Sequence, residues 1–225
     1  GGAEFIDAVP EAFKTACRVH AEHGTRVMYP TISATDFNTM TAVLQTARKI
    51  KNECAVEIPG IHLEGPYFSP EMCGGPPAGI VRDINKCEYE ALLNDYSDVI
   101  ARWDYAPEKD ADNGFLKALC EKGIVAATAH SSAEYRDVYR AYLDGNRLVT
   151  HLYSCTSTIT RHQGFRRLGI IESAYLLDGM YVEAIADGRH LPYELLRLIV
   201  KLKGVDKVCL ITDSLRPGGI GEEGK

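Results

Sequence analysis

The stretch "IVAATAHSSAEYRDVYRAYLDGNRLVTHLY", Ile124 to Tyr153, decides how this sequence folds. Its first part, "IVAATAH", is a short run rich in Ile, Val and Ala without apolar–polar alternation. That composition predicts a strand buried on both faces. "SAEYRDVYRAYLDG" reads as a helix from Ser132 to about Asp144, stopped by Gly145. "RLVTHLY" returns to a strand. Strand, helix, strand makes a βαβ unit, whose two strands must run parallel. Both strands carry a histidine toward their C-terminal ends, His130 and His151.

The same alternation extends in both directions. Helices are expected over 10–23, 37–52 with Asp36 as N-cap, near 86–93, in "NGFLKALCEKG" ending on Gly123, and in "PYELLRLIVKLKG" ending on Gly204. Strands are expected over 26–33, 56–63, 101–106, 124–130, in "RLVTHLY", over 180–187 and over 207–213. Repeated βα units predict an α/β fold with right-handed crossovers. Seven such strands suit a TIM-type (β/α)8 barrel better than an open sheet. The chain opens on a helix-like segment and stops soon after the seventh strand. An incomplete barrel is therefore expected, with residues 1–225 read as one partial barrel domain.

Composition narrows the function. The chain is 45% hydrophobic and 25% charged, with a formal net charge of −6. No basic run exceeds two residues, which argues against nucleic acid as a partner. No apolar stretch reaches the roughly 18 residues of a membrane span. The opening "GGAEFIDAVPEAF" has neither the basic nor the apolar region of a signal peptide. Seven cysteines, an odd number with no CxxC, point to free thiols in a reducing compartment, so a cytoplasmic protein is expected.

The chemistry gathers where strands end. "GIHLEGPYFSP", Gly60 to Pro70, carries His62 and Glu64 to the end of a largely apolar run. The later strands end on or near His130, His151, Asp187 with His190, and Asp213 in "TDS". In a parallel barrel all these ends share one face, where TIM-barrel active sites are built. Glu64, His130 and His151 offer two imidazole nitrogens and a carboxylate oxygen, a donor set suited to zinc or a similar divalent ion. Each residue alone also fits a structural role: a hydrogen-bonded strand-end histidine, a carboxylate capping a turn. Asp213 is the natural general base beside such an ion, or else a turn residue. Arg161, Arg166 and Arg167 in "TITRHQGFRRLG" suit a phosphate, or else a solvated loop. "AHSSA" lacks the GxSxG elbow of a serine hydrolase.

Taken together, "HLEGP" at 62–66, "APE" at 106–108, "AHSSA" at 129–133, "THLY" at 150–153, "IADGRH" at 185–190 and "TDS" at 212–214 resemble the N-acetylglucosamine-6-phosphate deacetylase family of the amidohydrolase superfamily. The resemblance runs in order along almost the whole chain. It implies a metal-dependent hydrolase that cleaves a linear amide, releasing glucosamine 6-phosphate and acetate. It implies one divalent metal ion, zinc by preference, on Glu64, His130 and His151, with Asp213 as the catalytic acid–base group. His190, Asp187, Gly188, Ser154, Cys155, Arg161 and His62 become candidate substrate contacts. The implied partner is a small amino-sugar phosphate, with no nucleic acid or membrane, and the full-length protein is expected to be a homodimer. Family members also have a first strand ending in His-x-His, a last helix and a small β-sandwich domain, none of which this sequence contains. The sequence departs from the pattern in three places. Pro76 stands at a substrate-binding histidine, Ser154-Cys155 replaces an Asn-Ala pair, and Arg161 meets the phosphate-binding arginine only with a one-residue shift, His162 standing there without it. Related readings stay open: another N-acyl or cyclic amide substrate, or a non-catalytic sugar-phosphate-binding fragment.

Overall fold

The computed structural model describes residues 1–75 and 79–219. Its strands are β1 (Thr31–Ser33), β2 (Ile61–Glu64), β3 (Ile100–Tyr105), β4 (Val125–Thr128), β5 (Leu148–Val149), β6 (Thr160–His162), β7 (Phe165–Arg167), β8 (Tyr181–Ile185) and β9 (Val208–Ile211). Its helices are α1 (Pro10–Glu22), α2 (Phe37–Ile50), α3 (Lys86–Tyr96), α4 (Gly114–Glu121), α5 (Tyr135–Leu143), α6 (Ile170–Leu176) and α7 (Tyr193–Lys203). Seven strands make one sheet in the order β1-β2-β3-β4-β5-β8-β9, every neighbouring pair parallel. β6 and β7 form a separate antiparallel hairpin. Among the described residues no helix is long and apolar enough to cross a membrane.

The sheet curls. Arg102 on β3 reaches Glu183 on β8, Nη2 to Oε2 at 2.9 Å, although β4 and β5 lie between them. Strands are spaced about 4.8 Å apart, so in a flat sheet these positions would be about 14 Å apart. Their contact across the inner face accords with a sheet that wraps around that face, as in an incomplete TIM-type barrel. β1 and β9 do not pair with each other. Instead the Gly2 N–H donates to the Arg216 carbonyl at 2.9 Å, and Arg216 binds Glu4 and Asp7 at 3.1 and 2.7 Å.

Local chemistry explains the elements. Asp36 caps α2 by accepting from the Thr39 N–H at 3.0 Å. Met40, Val43, Leu44, Ala47 and Ile50 then recur at helical spacing, and all are buried. The outer faces of β2 and β3 give Ile61, Leu63, Trp103 and Tyr105 to the same core, where Trp103 packs against Phe115 and donates to the Gly65 carbonyl at 2.9 Å.

The inner layer is polar. Asp104, fully buried, accepts from Arg102 Nε at 2.9 Å and Thr150 Oγ1 at 2.7 Å, and lies 2.9 Å from His62 Nε2. Burial alone would raise the Asp104 carboxyl; the charge of Arg102, then of His62, holds it below the ordinary carboxylate range. Burial likewise works against the charged Arg102, and Asp104 and Glu183 overcome it.

Six of the seven predicted strands are shorter than the sequence predicts, while β3 keeps six residues, one position earlier than expected. The run 26–33 pairs continuously only at Thr31–Ser33, with a single bridge at Val27, because Pro30 has no N–H to give. Pro59 delays β2 in the same way. The fifth strand stops at Val149 because the chain turns sharply beyond it, with positive φ at His151, Tyr153 and Cys155. Two elements went unpredicted. The hairpin turns at Gln163-Gly164, φ +47° and +89°, a weaker signal than Asn-Gly. α6, "IIESAYL", has seven residues, about two turns, too few to show a helical period.

Candidate metal centre

Glu64 ends β2, while His130 and His151 each stand two residues beyond β4 and β5. The curl brings them together. Glu64 Oε1 lies 3.1 Å from His130 Nε2 and 3.1 Å from His151 Nε2, and the two nitrogens are 3.2 Å apart. This is the only cluster of three potential metal ligands among the described residues. Three donors about 2 Å from one ion in tetrahedral arrangement would be about 3.3 Å apart, close to this triangle.

The donor chemistry fits an ion as well. The His130 ring stacks on Phe68, centroids 4.4 Å apart, and its Nδ1 contacts the Met72 carbonyl at 2.9 Å. A carbonyl accepts only, so Nδ1 carries the hydrogen and the Nε2 lone pair faces the cluster. His151 Nε2 and a carboxylate oxygen meet it, a donor set suited to one shared cation. Burial opposes ionisation of Glu64, yet the two imidazoles, when they carry protons at Nε2 in place of an ion, hold it well below its ordinary value. Burial also opposes a charged His151, but the Glu64 hydrogen bond and the charges of Glu64, Asp104 and Asp213 push it up to about 9. His151 Nδ1 is buried without a hydrogen-bond partner among the described residues.

Backbone strain marks the same place. His130, His151 and Asp213 have φ of +45°, +31° and +47°, in the left-handed region that residues with a Cβ seldom adopt. Such conformations persist only where surrounding contacts over-determine them, which is common at functional sites.

Asp213 stands two residues beyond β9 and lines two cavities. One, about 410 Å³, also touches Glu64, Thr31 and Ser33. The other, about 590 Å³, touches Asp187 and His190. Partial burial and the charge of Glu64 raise the Asp213 carboxyl, against the pull of His151, His190 and His130. A carboxyl shifted upward beside three imidazoles suits proton transfer.

The remaining candidates fall in different places. Asp187 accepts from the backbone N–H groups of Arg189 and His190, both at 2.9 Å, and holds His190 Nδ1 at 2.8 Å. Gly188, at φ +72°, makes that tight loop. Ser154 and Cys155 follow His151 on the strained segment. A Cβ on Gly74 would come within 2.9 Å of Cys155 Sγ and 3.3 Å of the His130 ring, so the chain closes over both side chains there. His62 points into the barrel, with Nδ1 3.0 Å from Thr31 Oγ1 and Nε2 toward Asp104, beneath the cluster. Arg161 is exposed on the hairpin, in register with Arg166; His162 faces Phe165. Pro76 lies outside the described residues.

Sequence reasoning missed Arg102, Asp104 and Glu183. The signal was present: "ARWDY" places Arg and Asp two apart in an apolar strand, the same pattern that exposed His62 and Glu64.

No family model matches the chain. It is 32% identical over 225 residues to the N-acetylglucosamine-6-phosphate deacetylase of Haemophilus influenzae, covering 99% of this chain and 57% of that protein. It is 28% identical to the N-acetylgalactosamine-6-phosphate deacetylase of Shewanella sp. (strain ANA-3), covering 97% and 55%. Its fold superposes with a TM-score of 0.88, at 27% identity, on a mutant Mycobacterium smegmatis N-acetyl-D-glucosamine-6-phosphate deacetylase in complex with N-acetyl-D-glucosamine-6-phosphate, covering 97% of this chain and 56% of that one. The chain thus spans little more than half the length of the relatives it matches.

Proposed function

We propose, for a chain homologous along nearly its whole length to the N-acetylglucosamine-6-phosphate deacetylases of the amidohydrolase superfamily, that the protein carrying it is a metal-dependent deacetylase of an N-acetyl amino-sugar phosphate. The observation that carries this reading is the Glu64–His130–His151 triangle with Asp213 beside it. A divalent ion there, zinc by preference for two imidazoles and a carboxylate, supplies Lewis acidity toward the acetyl carbonyl and makes water a better nucleophile. Asp213 takes the proton from the attacking water and returns it to the amine nitrogen as the C–N bond breaks. Acetate and the free amino-sugar phosphate leave. Asp187 orients His190 toward the sugar phosphate. Gly188, Ser154 and Cys155 shape the adjoining wall. Arg161, with Arg166 opposite, presents paired guanidinium groups suited to a phosphate. That phosphate belongs to a second copy of the protein if the enzyme is the homodimer the family resemblance implies. Cytoplasmic location follows from the substrate and the free thiols. His62 holds the layer beneath the metal rather than touching substrate.

The Shewanella relative favours a second reading within the same chemistry, the galacto epimer as substrate. Ser154-Cys155, in place of the family's Asn-Ala, makes the two epimers worth comparing. The test is amine release from N-acetylglucosamine and N-acetylgalactosamine, each with and without the 6-phosphate, by the whole metal-loaded protein. The expected result is turnover of a 6-phosphate at least about 100-fold above its parent sugar, the worth of two charge-assisted hydrogen bonds at about 1.5 kcal/mol each. Equal rates with and without phosphate would remove the arginine pair from the site.

A further inference from the structure

Glu108, in the turn Pro107–Lys109 after β3, lies outside the cluster and touches none of its three ligands directly. Its carboxylate gathers four donors from two other loops. Oε1 accepts from Ser69 Oγ on the loop after β2, and from the Ser132 N–H at 2.8 Å and Ser132 Oγ at 3.1 Å after β4; Oε2 accepts from Ser131 Oγ at 2.6 Å. Ser69 in turn donates its N–H to the His130 carbonyl at 2.9 Å. Neighbouring cations are engaged elsewhere, Lys109 with Asp83 and Arg140 with Asp137. This carboxylate therefore collects hydrogen bonds rather than pairing with a charge.

The residue enclosed by these bonds is His130. Its φ of +45° is a conformation the chain leaves unless neighbours hold it, and both residues after it are tied to Glu108. The turn decides whether Nε2 faces Glu64 or swings away. We propose that Glu108 is a positioning residue for the metal centre: it joins the loops after β2, β3 and β4 and locks His130 in ligating geometry. The inference rests on the metal reading above.

The experiment measures zinc affinity by chelator competition in the whole protein, for wild type, Glu108→Gln and Glu108→Ala, beside the melting temperature of each metal-free form. The cobalt(II)-substituted absorption spectrum reports ligand geometry. Glu108→Ala should bind zinc about 10- to 100-fold more weakly and alter the cobalt spectrum. Glu108→Gln, which keeps one acceptor oxygen and the shape, should lose less. If Glu108→Ala fails to fold, Glu108→Gln decides: weakened zinc binding at an unchanged metal-free melting temperature supports the proposal. Wild-type affinity and spectrum in the Gln variant, or in a folded Ala variant, overturn it. Failure of the metal reading is distinct, since wild type itself would then bind no zinc that His151→Asn abolishes.

Discussion

Asp213→Asn in the whole protein should lower kcat by about 10³-fold while leaving the bound metal and the melting temperature close to wild type. The size follows from what the carboxylate does. Positioned general acid–base groups contribute about 10² to 10⁴ in rate, and Asp213 would serve in both directions of proton transfer. Asparagine keeps the shape but cannot take a proton. It also tolerates the left-handed backbone better than most residues, so the φ of +47° at this position is no obstacle to folding. The metal stays because Glu64, His130 and His151 are untouched. Steady-state kinetics with metal analysis of the same sample check both halves. Near-normal turnover would remove Asp213 from the chemistry.

Arg102→Met should be the most destabilising change inside the barrel. Arg102 lies between Asp104 and Glu183, both buried, and binds each. Methionine fills much of the volume but leaves two buried carboxylates without their cation, at a cost of about 3–5 kcal/mol at neutral pH. At roughly 2–4 °C per kcal/mol for a chain of this size, the melting temperature falls by about 10 °C. The pH dependence carries the signature. In wild type Asp104 is held below its ordinary value, so its stabilisation is present above a pH of about 4, where an unfolded Asp ionises, and fades as pH drops further. In the variant the charged Asp104 carboxylate loses its guanidinium partner, and that part of the penalty is relieved as Asp104 takes up a proton. The gap between the two melting temperatures should therefore narrow as pH falls from 7 toward 4. A gap that is absent at pH 7, or constant with pH, would contradict this account of the inner layer.

The parallel barrel was legible because buried strands rich in Val, Ile and Ala alternate with capped helices, and Asp36 and Gly145 punctuate them clearly. Glu64, His130 and His151 were legible for a related reason. An ionisable group at the end of an apolar strand needs an explanation, and parallel strands put all such ends on one face. What escaped depends on three-dimensional closure. The pairing of Arg102 with Glu183 spans 81 positions and exists only once the sheet curls. Glu108 sits in "APE", where nothing local distinguishes it from a helix-turn carboxylate. Its partners come from "FSP" and "HSSA", loops that only the barrel brings together. His62 shows the converse: alternation put it on the same side as Glu64, but depth in the barrel places it beneath the cluster, against Asp104 and Thr31.

The most direct measurement is the divalent metal content of the whole protein, purified without chelator, for wild type and for Glu64→Gln combined with His151→Asn. The account predicts about one equivalent of ion in wild type, zinc foremost, and its loss in the double variant together with deacetylase activity. A double variant that keeps the full equivalent, or a wild type that hydrolyses the acetyl amide with no ion bound, would contradict it.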